Sequence, residues 1–417
     1  MASLSSFLHL SGVILLGSAV LTACDTPGLT FVDPDTGAAG PEDTPDAVHV
    51  QLEDSALAAA LGWTQGVPNA EVQVHRFIDP FRPDTLYTDS VGHALLPNDL
   101  LAGDYRVAAL RVLTADEAAA TGGTIRAFGD GFAHRLPADT VKLRLGVDQP
   151  GSLVFSEIYH GGGTQDISYR WDQFVELYNN ADTTVYLDGV LYGSAYGHIG
   201  SGDPCEESRA WREDPLGLWA LEFHQFPGSG ADYPVAPGQA ISVALDAADH
   251  SVVHPTLPDL SQADFELEGT ADIDNPSVPN MPSVGLISNL DGHGMRTITT
   301  QVHFISLSVV VPHLETATVH GIEFARIPTD RIVDVLDGAW VQLNGAPWPI
   351  PYRCKWVNRE FDRLESVNYR RGNNDNTDSI HRRILRTTPG GRLVLRDVTT
   401  TFLDFVVGTY SPGRIEY

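Results

Sequence analysis

Lysine is almost missing from this chain. Of its 26 basic residues only Lys142 and Lys355 are lysines, and they face 54 acidic ones, for a formal net charge of −28. No basic patch is available to meet phosphates, which excludes nucleic acid as the partner and disfavours electrostatic adhesion to anionic lipid. Such an acidic, lysine-poor surface suits a protein that stays soluble in high salt, where screening weakens self-repulsion. Cysteine is equally scarce: Cys24, Cys205 and Cys354 are all there is, and no CxxC zinc or redox motif can be built from them. Nor is there an apolar run of the roughly 20 residues that a spanning helix needs. Catalytic punctuation is missing too. There is no G-x-S-x-G elbow ("GSAYG" has the wrong spacing), no phosphate loop and no dinucleotide-binding glycine motif.

The longest apolar stretch runs from Leu10 to Ala23 and ends on Cys24. Its length fits a secretory h-region of about 7–15 residues ending in small residues. Leu21, Thr22, Ala23 and Cys24 resemble the lipobox of bacterial lipoproteins, whose leader is cut before the Cys and whose thiol carries diacylglycerol. The resemblance implies a signal peptide over residues 1–23 and lipidation at Cys24. One feature departs from it: residues 1–23 contain no Lys or Arg, so the usual basic n-region is missing. With Cys24 lipidated, Cys205 and Cys354 form an even pair that an oxidising envelope compartment can bridge; two unrelated buried thiols are the alternative. Residues 24–46 are rich in Pro, Asp, Gly and Thr and read as an extended, solvated tether.

From residue 47 the pattern changes. "AVHVQLED", "AEVQVHRF", "GDYRVAALRVL" and "TVKLRLGV" alternate with period two between Gly- and Pro-rich turns, which predicts an antiparallel sandwich over 47–149. "TADEAAATGG" predicts a short helix or a loop. In "TDSVGHA" the Asp suits local backbone hydrogen bonds and the Gly a positive φ. Val67, Pro68, Ala70, Val72, Val74, Thr88, Asp89, Gly92, Leu95, Leu100, Gly103, Tyr105 and Val107 fit the pattern of the transthyretin-like and carboxypeptidase-regulatory-like β-sandwich, which this stretch resembles. In that family the domain is an accessory or adhesive module.

Residues 150–417 carry a second resemblance. "LVFSEIYHGGG" and "WDQFVELYNNADTTVYLDGVLYG" are similar to the opening of the lamin-tail domain, an Ig-like sandwich, through Glu157, Ile158, Asp172, Phe174, Val175, Glu176, Leu177, Tyr178, Asn179, Leu187 and Gly189. "VAPGQAISVAL" resembles the hairpin and strand that follow. The whole order of segments resembles the lipoprotein family catalogued as domain of unknown function 4876, which implies architecture and an envelope location but no activity. The expected fold is therefore all-β: two Ig-like or transthyretin-like sandwiches, the second expanded by insertions at 197–232 and 247–282.

Several constellations invite a chemical reading. Glu157 and Glu176 can pair as an acid/base dyad, but in this pattern such carboxylates bond backbone N–H groups or Tyr hydroxyls. His250 and His254 have the four-residue spacing of a helical zinc pair, although the Glu of HExxH is absent and Pro255 stops a helix at once. Asp272, Asp274 and Asn275, and again Asn373, Asn374, Asp375 and Asp378, offer hard oxygens for a structural calcium; Asn and Asp also dominate ordinary turns. The first insertion carries Trp211 beside Arg209 and Arg212, a mixture suited to recognition, and Trp219, which "LWALEF" places in a strand core. The expectation is a lipid-anchored envelope protein, in the outer membrane of a Gram-negative bacterium, acting as a non-catalytic binding or assembly module for a protein or glycan partner. An accessory subunit of an outer-membrane uptake receptor is an alternative, and a secreted metal-dependent hydrolase using His250 is another.

Overall fold

The computed structural model describes residues 47–76, 79–97, 103–121, 127–136, 140–148, 151–161, 163–164, 167–169, 171–195, 214–269, 274–284, 302–319, 322–341, 367–370, 378–398 and 401–417. The architecture is all-β. In strand Ala47–Leu52 the alternation places Val48, Val50 and Leu52 inward and leaves the residues between them half-buried. This strand pairs in parallel with Thr140–Asp148 on one side and antiparallel with the short edge strand His93–Leu95 on the other. Thr140–Asp148 continues past it to pair with Ala127–Leu136. One strand thus links the two layers of a seven-stranded system, whose remaining members are Gly103–Val112, Glu71–Arg76 and Asp79–Tyr87. Between the layers lies a core built on Val48, Val50, Val72, Val74, Val107 and Leu143, all fully buried.

Two short helices close this first sandwich. Ser55–Leu61 is capped by the Asp54 carboxylate and stopped by Gly62 at φ 75°. The "TADEAAATGG" segment is helical over Ala115–Ala120 and opens with a capping box of Thr114 and Glu117. In the "TDSVGHA" turn, Asp89 Oδ1 accepts the N–H groups of Val91 and His93, and Gly92 takes φ 83°.

The second sandwich packs two seven-stranded sheets. One centres on Leu153–Tyr159 and Phe174–Asn179, with Asp378–Arg382 and Phe405–Thr409 on one side and Ala240–Ala244 on the other. The other centres on Leu191–Ala195, between Gly217–Gln225 and Val302–Ser306. Phe155, Ile158, Val175, Leu177, Tyr192 and Ile305 fill the space between the sheets. Every residue of Leu153–Tyr159 and of Phe174–Asn179 is buried, because the outer face of that sheet is covered as well. That covering explains how a strand can carry Glu157 or Glu176 away from the inter-sheet core and still bury it.

Both insertions contain sheet. Gly217–Gln225 lies within the first, pairing with Leu191–Ala195 and with Ile322–Pro328. Leu218, Ala220 and Phe223 of its "LWALEF" join Phe304 in a further core on the sheet's far side. The second insertion adds Phe265–Leu267 and Asn280–Met281 as parallel strands beyond Ala240–Ala244.

One buried cation ties the two sheets. Arg382 donates to Asp334 Oδ2 (2.6 Å) in the opposite sheet and to the Phe155 carbonyl (2.6 Å), with Asp397 and Asp404 at 3.4 and 3.6 Å. The same region meets the first sandwich, where Val398 and Leu403 pack against Ala108 and Leu110. Thr44–Tyr417 is one compact unit. Among the described residues no helix is long and apolar enough to cross a membrane.

Candidate functional site

Strand register gathers the chain's polar interior at one end of the second sandwich. Tyr159, Phe174 and Ala244 are cross-strand neighbours at the end of one sheet, and Ser194 and His303 are neighbours in the other. His160 Nε2 lies 3.1 Å from His303 Nε2 and so joins the two ends. From here the chain leaves after Tyr159, after Ala195 and after Ala244, and returns before Phe174 and before Val302. Both insertions therefore open from the same end of a rigid β scaffold.

The groups beneath that end hold one another. His160 and His303 share one hydrogen bond, so one ring donates an N–H and the other a lone pair. The Tyr192 hydroxyl meets His303 Nδ1 at 3.1 Å, and burial keeps that phenol well above its ordinary titration range. The Tyr159 hydroxyl donates to Asp172 at 3.2 Å. Ser194, Glu222 and His224 are buried on the neighbouring strands. These contacts can share protons and fix geometry. Among the described residues no three His, Cys, Asp or Glu side chains converge as a metal site.

His250, a metal candidate from its spacing to His254, has both ring nitrogens hydrogen-bonded within the protein. His250–Val252 is a single 3₁₀ turn with no continuing helix, so the four-residue spacing to His254 does not place both rings on one helical face. His250 is 1 % exposed. Its Nε2–H donates to the Asp246 carbonyl (3.0 Å), which leaves Nδ1 to accept from the Tyr169 hydroxyl (2.9 Å). No ring nitrogen remains for an ion, and burial depresses its pKa and keeps it neutral. His254 Nδ1 bonds the Thr256 hydroxyl at 2.8 Å. Asp249 caps the turn through the Ser251 N–H, and the turn's tip presents Val252 and Val253, 79 % and 44 % exposed.

Of the residues offered for a structural calcium, Asp274, Asn275 and Asp378 are described. Asp274 accepts from the Asn280 amide (2.8 Å), and the Asn275 amide donates to the Ala247 carbonyl (2.8 Å) while its oxygen accepts the Ser277 N–H. Asn275 is a loop-closing residue. Asp272 and residues 373–375 lie outside the described residues, as do Cys24, Cys205, Cys354, Arg209, Trp211 and Arg212. Trp219 is 9 % exposed in its strand, donating from Nε1 to Asp214 (2.9 Å) beneath the Arg326 guanidinium.

Glu157 and Glu176 are direct cross-strand neighbours, both buried. Each accepts a backbone N–H from the C-terminal segment: Ser411 to Glu157 (3.0 Å) and Gly413 to Glu176 (2.7 Å). Burial pushes the Glu157 carboxyl up to about 8 and the Glu176 carboxyl up to about 7. The pair serves backbone amides, as its sequence context suggests, with the C-terminal segment lying over it.

No family model matches the chain, and no curated protein matches it. Among solved structures it is similar to a DUF4876 family protein from Bacteroides thetaiotaomicron, with 16 % identity and a TM-score of 0.49 over 89 % of this chain and 98 % of that one. It is also similar to a DUF3823 family protein from Parabacteroides merdae, at 10 % identity and a TM-score of 0.15, covering 51 % of this chain and 86 % of that chain. A fimbrial assembly protein from Parabacteroides distasonis aligns at 9 % identity and a TM-score of 0.15, over 46 % and 84 % of the two chains.

Proposed function

We propose that the chain is a lipid-anchored envelope protein acting as a non-catalytic binding or assembly module, with recognition at the His160 end of the second sandwich. One observation carries the reading. An apolar pair, Val252 and Val253, is held out to solvent on a turn whose own histidine is buried and doubly hydrogen-bonded. Recognition residues gain from a rigid platform, because little side-chain or loop freedom is lost on binding. The anchored turn meets that need, and the other insertion opens from the same end. His250, the residue a metal hydrolase would require, is used instead as the prop.

Two experiments test it. Capture from envelope extracts and a glycan array are run with the wild type, with Val252→Asp/Val253→Asp, and with residues 197–213 replaced by a short Gly-Ser loop that keeps Asp214 on the Trp219 indole. Loss of a partner in either variant, with an unchanged melting curve, supports the site; retention of every partner in both removes it. For the anchor, Cys24→Ser is expected to release the protein from the membrane fraction or to block processing. A variant that still fractionates with membranes at the mature size overturns the lipoprotein assignment.

A further inference from the structure

The last residues of the chain form a plug whose chemistry the proposed recognition site does not use. "SPGR", Ser411 to Arg414, is a reverse turn: the Arg414 N–H returns to the Ser411 carbonyl at 2.9 Å, Pro412 stands at the second position, and Gly413 takes φ 77° at the third. That is the residue pattern of a type II turn. It leaves the N–H groups of Ser411 and Gly413 free of the turn's own bond. Both point into the outer face of the sheet, where they meet Glu157 and Glu176.

The flanks of the turn are fastened by packing. Before it, Tyr410 lies against Tyr159 at 5.0 Å between ring centres, and its hydroxyl donates to the Thr256 carbonyl at 2.9 Å. After it, Ile415 packs on Val154, Tyr178 and Leu395. Tyr417 lies over the His381 ring at 4.4 Å. The segment thus covers two glutamates that would otherwise face water, and Tyr410 reaches the same loop that carries Val252 and Val253.

We propose that residues 410–417 are a proton-controlled latch, closed while Glu157 and Glu176 are protonated and released when they ionise. A neutral carboxyl can accept an amide N–H in a dry site at little cost; two adjacent carboxylates sealed from water cannot both ionise without rehydration. Among the described residues no basic partner offsets that charge. Glu157 faces His381 at 3.7 Å, but this ring is neutral, depressed to about 4 by burial, and its Nε2–H donates to the Thr409 carbonyl. Ser379 and Ser411 offer Glu157 only hydroxyl and amide donors, as Ser156 and Gly413 do Glu176. Asp264 adds a further negative charge towards Glu176. Arg414 and Glu416, on the latch itself, are exposed.

The sign follows from proton linkage. Both folded-state pKa values are raised, so the closed form binds more protons than the open one, and opening is favoured as pH rises through the range from about 4.5 to 8. Release would free Tyr410 and loosen the loop at Thr256. That coupling rests on the recognition reading; the latch itself does not.

Hydrogen exchange at about pH 6 and about pH 9, corrected for intrinsic rates, tests the latch with no partner present, so its failure is separable from a failure of the recognition site. The protection of the 405–417 peptide is expected to fall by at least about tenfold at the higher pH, the change that Glu176 alone would contribute. In Glu157→Gln/Glu176→Gln, which keeps the acceptor oxygens without the charge, protection is expected to be the same at both. A wild type equally protected at both pH values overturns the latch, and so does a double variant that still opens in base. Gly413→Ala keeps the test decisive should that variant not fold. Its Cβ meets nothing within 4 Å, so only the positive φ is strained, and the latch is expected to be more open at about pH 6 while still responding to pH. Equal protection of this variant and the wild type also overturns the proposal.

Discussion

Arg382 is a buried cation that ties the two sheets of the second sandwich. Its side chain is 1 % exposed, and three carboxylates from separate segments converge on it. A buried ion pair adds little over a well-packed apolar group, but removing one partner leaves uncompensated charge in a dry interior. Arg382→Met strands Asp334 in particular, whose Oδ2 also accepts the Phe155 N–H. The variant is expected to lose about 3–5 kcal/mol in urea unfolding. Asp334→Asn in the same background should recover part of it, since the amide keeps an acceptor without the charge. His381 is a second sensitive residue. Its folded pKa is depressed to about 4, so the stability it contributes is complete above its ordinary 6.5 and is lost as pH falls towards 4. Glu157 and Glu176 act in the opposite sense, their contribution declining as pH rises from about 4.5 to 8. For these three groups together a melting-temperature profile is expected to fall off on both flanks. Replacing His381 by Gln should flatten only the acid side.

Elements succeed where local chemistry agrees with register. In the turn before His93–Leu95, Gly92 combines φ 83° with a close approach: a Cβ there would lie 2.6 Å from the Val50 carbonyl and 2.7 Å from Gly66 Cα. Gly92→Ala is expected to cost roughly 2–5 kcal/mol, from the left-handed backbone and from overpacking against neighbours that are themselves backbone. A loss below about 1 kcal/mol would show that the strands can separate without penalty. Gly92 was legible in "TDSVGHA", because turn chemistry is local. The strands from Ala47 to Asp148 were legible for the same reason, their period of two being visible in a few residues. His250 was not. Its spacing to His254 suggested a helix, yet its ring bonds the hydroxyl of Tyr169, which comes from a distant segment, and the Asp246 main-chain carbonyl four residues earlier, and no side-chain periodicity announces either. The glutamates were half legible: their buried strand context could be read, but the amides that satisfy them come from Ser411 and Gly413, more than two hundred residues away.

The whole molecule sets a local attraction against a global repulsion. Where the sandwiches meet, Ala108, Leu110, Val398 and Leu403 bury a small apolar patch, and beside it Arg396 reaches Glu71 at 3.5 Å. This junction lies within the one compact unit Thr44–Tyr417. Against it stands a net charge of −28, with acidic residues about twice as numerous as basic ones. Self-repulsion of that size disfavours the compact state, and added salt weakens it over distances beyond about 8–10 Å. The Arg396–Glu71 contact would lose strength in salt as well, but one partly exposed pair is worth less than about 1 kcal/mol. Repulsion spread over the surface should dominate. The melting temperature is therefore expected to rise between about 20 mM and 1 M NaCl at neutral pH. The same rise in KCl would identify screening rather than ion-specific binding. A melting temperature that stays flat or falls would show that the acidic residues are placed far enough apart, or near enough to the arginines, for the charge to cost the fold nothing.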